Sequence, residues 1–439
     1  MIKNKAPVVE ISLKTGYQPP ALETGGTASG EIRKIVWKGA LEIWKHYPIF
    51  GSGVETFAYS YYNFRPVEHN LVSEWDFLYN KAHNEYLNYL ATTGLVGLTA
   101  YLILIGSFII WVLTKIFNLQ FSNFQSITNS PIFKQKKIEN LGIENSLKIE
   151  NLKIRNLLTA FLSGFISILI TNFFGFSVVP VALLFFLIPA FCVVLSTLED
   201  KSQSPITNYP ITKVQKISLI TLFFVILYSL FFILKLWFAD YYYAQGERLN
   251  KAGQPALAFQ SLLKAINLNK KEPVYRNEIA ESAAVLALAF SQQNDATTAA
   301  NFAQVALSQS EQALKISPRH LNFWKGRIKV LYSLSQINKE FAPLVIEAFQ
   351  NAITLAPTDP KLRYNLGIVY GNFNQKDQAI KNFQKAVELK PNYKDARFAL
   401  ALYLKDIGKK QEAKEQLEYI LKNISQQDSP SSKLLKELE

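Results

Sequence analysis

The chain has 439 residues, of which 49% are hydrophobic and 18% are charged, and its formal net charge is +13. Length alone would favour about three soluble domains of roughly 150 residues, but the apolar residues are concentrated in discrete segments, as in membrane proteins. A single cysteine, Cys192, excludes an intrachain disulfide and a multi-cysteine metal site. The sequence lacks the motifs of nucleic-acid-binding proteins, so we expect the positively charged side chains to bind anionic lipid or diphosphate groups instead.

Residues 1–88 are predicted to form an extracytoplasmic loop with amphipathic helices. Apolar residues recur at helical spacing from Ile32 to Trp44, and Pro48 ends the pattern. Tryptophan and tyrosine are frequent here, which suits a helix in the headgroup region of a bilayer. The glycines Gly51 and Gly53 predict a flexible turn where the backbone can approach a ligand.

Four later segments contain the roughly 20 apolar residues that a membrane-spanning helix needs. They cover residues 89–113, 157–176, 179–196 and 217–238. The second and third segments are so close together that they predict a tight helical hairpin, with Pro180 near its turn. We therefore predict a four-helix membrane domain over residues 89–238, with a low-complexity cytoplasmic loop at residues 114–156.

Lysine and arginine are concentrated in the loops after the first and third predicted spans. The positive-inside rule places these loops in the cytoplasm and residues 1–88 and 239–439 outside. No signal peptide precedes the first span, because Met1–Lys5 is charged but no apolar core follows it. We expect that further spans precede this sequence; the other explanation is that the orientation is reversed.

From residue 239 onward, small residues recur at fixed positions in amphipathic helices. Pro357 and Pro391 are 34 residues apart, the period of a tetratricopeptide repeat. We predict an α-solenoid of five such repeats over residues 239–439, with a concave binding face and with insertions such as Gln336–Phe341 in the first helices of the middle repeats. A generic array of helical hairpins is the alternative. The predicted fold class is therefore all-α, a polytopic membrane domain followed by an α-solenoid.

Three motifs occur in order around the first span. They are Arg33-x-x-x-Trp37, Pro48-x-Phe50-Gly51-x-Gly53, and His83-Asn84-x-x-Leu87 followed by Gly94-Leu-x-Gly97. In combination they resemble the C-terminal half of the O-antigen ligase and polymerase superfamily, over residues 33–196. Bacterial members of this superfamily often carry C-terminal tetratricopeptide repeats, which provide a second, independent match.

The resemblance implies a membrane glycosyltransferase of the GT-C type, in the bacterial cytoplasmic membrane, that uses neither a metal nor another cofactor. Such an enzyme moves a glycan from undecaprenyl diphosphate to an acceptor hydroxyl outside the membrane. By motif, Arg33 would bind the diphosphate, and His83 would deprotonate or orient the acceptor. Family members have a long run of N-terminal spans that this sequence lacks, so a truncated chain or a separate N-terminal half is expected.

The residue chemistry agrees with these roles. A guanidinium is always protonated and can bind phosphate through two hydrogen bonds, whereas imidazole can accept a proton near neutral pH. Arg65 is a second phosphate candidate, and Asn84 and Glu85 are candidates for orienting His83, although Asn84 can equally cap the following helix.

The remaining histidines are not expected to act in chemistry. We predict that His46 and His69 are surface residues and that His320 is structural. The alternative function is a membrane-tethered scaffold that binds envelope-assembly proteins through its repeats and has no catalytic activity. A transporter is disfavoured because the predicted spans carry almost no ionisable residues.

Overall fold

The structure, a computed structural model, describes residues 26–128, 140–198 and 212–439, with side chains outside residues 120–150. These residues form helices and turns and contain no β-strand, so the all-α prediction is confirmed. Much of the predicted low-complexity loop lies outside the described residues. The chain divides into two compact units. The membrane unit comprises Ser29–Phe64 and the described part of Leu78–Tyr209, and the repeat unit comprises residues 26–28, Arg65–Phe77 and the described part of Pro210–Glu439.

The membrane unit contains five helices. In chain order these are α1 (Ser29–His46), α2 (Phe57–Phe64), α3 (Glu85–Thr128), α4 (Asn140–Phe173) and α5 (Val179–Leu198). The α1 helix packs against α2 and α3. The predicted second span extended to residue 176, but α4 ends three residues earlier, at Phe173.

Aromatic stacking joins the three long helices of the membrane unit. The ring of Phe165 on α4 lies 4.7 Å from Phe108 on α3 and 5.0 Å from Phe185 on α5, between ring centroids. Tyr101 on α3 stacks on the other side of Phe185, at 5.4 Å. Outward-facing residues such as Ile110 are exposed. This is the arrangement that a bilayer permits, because lipid solvates the outer faces while close packing holds the helices together.

The repeat unit begins with a long helix, α6 (Lys213–Lys251), which Thr212 and Gln215 cap reciprocally. Its apolar N-terminal part is exposed over the length of a bilayer, and the helix runs without interruption into the first repeat. The predicted boundary between residues 238 and 239 therefore falls inside a helix. Together with segments of α3, α4 and α5, this segment makes four described helices that are long and apolar enough to cross a membrane.

Nine of the ten remaining α-helices in the described residues form the repeats with the end of α6. They are α7 (Pro255–Leu268), α8 (Pro273–Gln292), α9 (Ala296–Ile316), α10 (Leu321–Ser335), α11 (Ala342–Leu355), α12 (Pro360–Asn372), α13 (Lys376–Leu389), α14 (Lys394–Asp406) and α15 (Lys410–Tyr419). The last helix, α16 (Ser429–Leu438), follows them. Consecutive helices pack as five pairs, from α6 with α7 to α14 with α15.

Small residues set the distance within a repeat pair. A Cβ atom on Gly367 of α12 would lie 2.7 Å from the Phe383 ring of α13, and Ala379 and Ala386 of α13 are fully buried. Close helix approach therefore requires these residues. The insertion Gln336–Phe341 was predicted within a first helix, but it connects α10 to α11 and includes a 3₁₀ turn at Lys339–Phe341.

Residues 1–88 were predicted as one domain, yet their described part contributes to both units. The segment Arg65–Phe77, which we call the docking segment, belongs to the repeat unit, whereas α1, α2 and residues 78–88 belong to the membrane unit. The docking segment contains a 3₁₀ turn, Val67–Leu71. Hydrophobic periodicity could not reveal this division, because the segment is held by polar contacts to residues distant in sequence.

Candidate functional site

The first candidate site residue, Arg33, lies on α1. This helix buries Ile32, Val36 and Ile43, whose three- and four-residue spacing defines one apolar face. Arg33 lies beside that face and is partly buried. Its Nε atom is buried and has no hydrogen-bond partner among the described residues. An unsatisfied buried donor is unusual in a folded protein.

Trp37 follows Arg33 by one helical turn and contacts the end of α4. Its ring centroid lies 6.0 Å from that of Phe173, in an edge-to-face arrangement. Phe173 also approaches Tyr86 at the start of α3, at 6.5 Å, and the Tyr86 hydroxyl donates a hydrogen bond to the Leu169 carbonyl at 3.1 Å. The α1 helix and the start of α3 therefore both contact the C-terminal end of α4.

His83 lies immediately before α3 with a φ of 54°, in the left-handed region that is uncommon for residues other than glycine. Its imidazole packs against two aromatic rings, Tyr79 at 5.4 Å and Phe176 at 5.2 Å between centroids. Phe176 belongs to the short connection between α4 and α5. His83 is partly exposed, so the two rings restrict the orientation of the imidazole without sealing it from solvent.

Asn84 caps α3, whose first residue is Glu85. The Asn84 side chain is buried, and its Oδ1 accepts a hydrogen bond of 3.0 Å from the Leu87 backbone N–H. This is the helix-capping interaction that the sequence left open as the alternative for Asn84. The Glu85 carboxylate accepts a hydrogen bond from the Ser177 backbone N–H, in the α4–α5 connection. Both residues thus hold the start of α3, directly after His83, in place.

Gly51 and Gly53 lie in a loop that packs against α3 near Gly94. At Gly94 the helix adopts φ 66° and ψ −164°, which interrupts its hydrogen-bond ladder. The carbonyls of Ala91 and Thr92 accept hydrogen bonds from the backbone N–H groups of Ser52 and Gly53, at 3.0 and 2.9 Å. The sequence predicted a loop whose backbone approaches a ligand; in the structure the close approach of this backbone is to α3.

The same loop also provides hydrogen-bond acceptors for the backbone on the C-terminal side of the break. The Leu95 and Val96 N–H groups donate to the carbonyls of Pro48 and Ile49, at 3.0 and 3.1 Å. Buried backbone groups are costly when they are left without partners, so these four hydrogen bonds explain why a break is tolerated in a helix that is apolar enough to span a membrane.

Arg65 belongs to the repeat unit rather than to the group around His83. It is buried, and its guanidinium donates to the Trp75 carbonyl at 3.1 Å and to Asn70 Oδ1. The prediction that His69 is a surface residue is wrong, since its side chain is fully buried. Burial, with a contribution from the nearby Arg65 cation, lowers the pKa of His69 to about 4. His46, by contrast, is exposed as predicted.

Phe173 and Phe176 were not predicted from the sequence to be part of this region. The available signal was the cluster of aromatic residues in the short connection between two apolar segments, together with glycine at position 175. Within the described ranges, no group of three or more His, Cys, Asp or Glu side chains is close enough to hold a metal ion.

The helices and the site together define an all-α protein with several apolar helices suited to a membrane and an array of helix pairs. Residues 8–102 match the O-antigen ligase family, and residues 360–393 match the tetratricopeptide repeat. The resemblance that the motifs indicated is therefore confirmed. The ligase match includes Arg33, the Gly51 loop and His83, and it ends inside α3.

The peroxisomal targeting signal receptor of Kluyveromyces lactis is 36% identical to this chain over 87 residues, which are 20% of this chain and 15% of the receptor. The chain thus covers less than a fifth of that relative. A tetratricopeptide protein of Thermus thermophilus is 17% identical over 46% of this chain and 98% of its own, with a TM-score of 0.33. MamA from Desulfovibrio magneticus is 21% identical over 44% of this chain and 97% of its own, with a TM-score of 0.34.

Proposed function

We propose that this protein is an O-antigen ligase-like glycosyltransferase of the bacterial cytoplasmic membrane. It transfers a glycan from undecaprenyl diphosphate to an acceptor hydroxyl on the outer side of that membrane. One observation carries the proposal. Trp37, one turn after Arg33 on α1, contacts Phe173 at the end of α4, and His83 contacts Phe176 in the adjoining α4–α5 connection. Arg33 and His83 both lie in the residues that match the ligase family.

In the proposed reaction, the acceptor oxygen attacks the anomeric carbon of the lipid-linked sugar. The bond between that carbon and the phosphate oxygen breaks, and the lipid diphosphate leaves with the electron pair. The hydroxyl proton passes to the imidazole of His83, which can accept it near neutral pH. The contacts with Tyr79 and Phe176 support this role because they limit the rotamers of the imidazole.

Negative charge grows on the diphosphate as the bond to the sugar breaks. Arg33 offsets this charge, because a guanidinium remains protonated and forms short, charge-assisted hydrogen bonds to phosphate oxygens. The buried Nε atom without a partner supports this assignment, since a bound anion would satisfy it. Asn84 and Glu85 hold the start of α3, and Gly51 and Gly53 hold the break in that helix, so these four residues support the site from outside the reacting atoms.

The test is a transfer assay with full-length protein in membranes and a labelled undecaprenyl-diphosphate glycan. His83→Ala is expected to lower transfer by at least about 100-fold, a typical contribution of acid–base catalysis. Arg33→Ala should have a similar effect, and Arg33→Lys should recover part of the activity. The matched controls are His46→Ala and Lys34→Ala, which replace exposed residues on the same helix as Arg33. Full activity of both His83→Ala and Arg33→Ala at normal protein levels would refute the proposal.

The second candidate function is a scaffold without catalysis, and an open cleft in the repeat unit favours it. This cleft lies between the second and third helix pairs, where charged residues of both signs surround Trp324, among them Lys315 and Glu347. Such a surface suits a protein partner. If Lys315→Glu and Glu347→Lys abolish the cellular phenotype while His83→Ala and Arg33→Ala leave it intact, the scaffold function is correct.

A further inference from the structure

The repeats hold a piece of chain that is 285–320 residues away in sequence. This docking segment, Arg65–Phe77, separates α2 from the residues that lead to His83. Arg65 closes it into a compact loop through its hydrogen bonds to Asn70 Oδ1 and to the Trp75 carbonyl. Because the guanidinium binds the amide oxygen of Asn70, the Nδ2 group of the same amide is directed away from Arg65.

That Nδ2 group joins two neighbouring repeats. It donates to the carbonyl of Thr358 at 2.9 Å and to that of Leu389 at 3.0 Å. Thr358 follows the end of α11, and Leu389 is the last residue of α13. Carbonyls at helix C-termini have no partner inside the helix. One buried amide of the docking segment therefore supplies a partner for the carbonyl at the C-terminus of α13 and for a carbonyl in the turn between α11 and α12.

Lys390, a residue of the repeats, binds the backbone of the docking segment. Its side chain is only 2% exposed, and Nζ donates to the Asn70 carbonyl at 2.7 Å. The Thr358 hydroxyl likewise donates to the Arg65 carbonyl at 3.1 Å. Burying an ammonium group is costly unless acceptors surround it. Because the buried Lys390 ammonium uses the backbone of the docking segment as an acceptor, this site favours a segment that stays bound.

Trp75 completes the contact. Its ring lies edge-to-face against Tyr393 at 5.7 Å, and the ammonium groups of Lys390 and Lys361 lie over its face, at 4.4 and 5.0 Å from the centroid. Lys361 also forms an ion pair with Asp76. Cation–π contacts of this kind stabilise a ring beyond its apolar burial. The backbone, amide, aromatic and carboxylate groups of the docking segment thus all have matched partners on the repeats.

We propose that the fourth repeat pair is a receptor for the chain's own docking segment, and that occupation of this receptor is required for glycan transfer. The inference about transfer rests on the proposed function. The physical link is the chain itself: Phe64 at the end of α2 precedes the docking segment, and only Leu78–Ala82 separate it from His83. Holding the segment restricts the backbone that enters His83, whose left-handed φ and ring contacts depend on that backbone.

The first experiment measures docking itself by hydrogen–deuterium exchange of residues 65–77 in the full-length protein in nanodiscs. Asn70→Ala, and the double variant Asn70→Ala with Lys390→Met, should raise exchange in this segment at least tenfold. Asn382→Ala and Lys385→Met, on α13 but outside the network described above, are the matched controls and should leave exchange unchanged. Equal protection in the parent and the double variant would overturn the receptor assignment.

The second experiment measures transfer in the same variants. We expect kcat to fall at least tenfold with an unchanged KM for the lipid-linked donor, because a loosened His83 affects the reacting geometry rather than diphosphate binding. Lys361→Asp should cause a smaller loss, and adding Asp76→Lys should restore it. If exchange rises while transfer stays at the parental rate, the requirement for docking is wrong although the proposed function stands. If His83→Ala and Arg33→Ala also transfer normally, the proposed function itself is wrong.

Discussion

Gly51 and Gly94 lie against each other where the loop after α1 meets the break in α3. A Cβ atom on Gly51 would come within 3.0 Å of the Thr92 backbone, and one on Gly94 would come equally close to the Ile49 carbonyl. Both glycines also have positive φ, 69° and 66°. The absence of two side chains thus allows the loop and the helix to exchange four backbone hydrogen bonds, which fixes the start of α3 and hence the position of His83.

The first prediction concerns Gly94→Ala. Its φ and ψ fall in a region that is essentially restricted to glycine, at a cost of about 1–3 kcal/mol for other residues. Displacement of the Ile49 carbonyl adds to this cost. We expect the melting temperature in detergent to fall by several degrees, measured by fluorescence-detected unfolding. Gly106→Ala is the control on the same helix, because a Cβ there meets nothing within 4 Å; a similar loss in both variants would contradict the explanation.

A second prediction separates capping from catalysis at Asn84. Asparagine and aspartate cap helices about equally well, whereas alanine loses about 1 kcal/mol. If Asn84 acts by capping, Asn84→Asp will keep the melting temperature and glycan transfer close to those of the parent. Asn84→Ala will lower both, and transfer will fall in proportion to the folded protein. A loss of transfer in a normally stable Asn84→Asp variant would instead show that the amide itself acts on the substrate.

The third prediction concerns His69. Burial lowers the pKa of this histidine from an ordinary 6.5 to about 4. Between these values the unfolded chain binds more protons than the folded one, so the stability of the repeat unit falls as the pH is lowered through this window. The full effect is roughly 3 kcal/mol, at 1.36 kcal/mol for each pKa unit. The midpoint of chemical denaturation should therefore decrease from pH 7 to pH 4.5.

The comparison variant for this prediction is His69→Gln, which removes the titrating group. It should show a shallower dependence of the denaturation midpoint on pH than the parent does. His46→Gln, which replaces an exposed histidine, should keep the parental slope. Parallel pH profiles for the parent and His69→Gln would rule out His69 as the source of acid sensitivity.

A fourth prediction concerns the buried ion pair of Lys394 and Asp428 in the last repeat. The two groups are 2.9 Å apart, with side-chain exposures of 8% and 5%. Asp428 also caps α16 by accepting a hydrogen bond from the Ser431 N–H. Asp428→Ala leaves a buried ammonium without its carboxylate, which costs about 3–5 kcal/mol. We expect a large drop in the melting temperature of the repeat unit, measured by circular dichroism.

The exposed pair of Lys409 and Glu412 in the same repeat provides the reference, with side-chain exposures of 53% and 45%. Exposed pairs contribute about 0–1 kcal/mol, because water screens them. Glu412→Ala should therefore change the melting temperature little. Equal destabilisation by the two substitutions would mean that burial does not control the contribution of the Lys394 pair.

Features that depend on neighbours in sequence could be predicted. Apolar length identifies the four membrane-suited helices, and the 34-residue spacing of Pro357 and Pro391 identifies the repeats. The order of the motifs around Arg33 and His83 identifies the ligase match. Each of these signals is local or periodic, so it can be recognised without knowing how the chain folds back on itself.

Tertiary structure alone decided which polar groups are buried and what they bind. His69 was predicted to be a surface residue and Arg65 a phosphate candidate, whereas both are buried in the docking segment. The partners that hold this segment through Arg65 and Asn70, namely Thr358, Leu389 and Lys390, lie about 290–320 residues away. Likewise, Gly51 and Gly53 were predicted to form a turn that approaches a ligand, but in the structure their loop lies against the break at Gly94. Sequence periodicity indicates whether a residue faces a core. It does not indicate which distant donor will form a hydrogen bond with which acceptor, because that depends on how the whole unit packs.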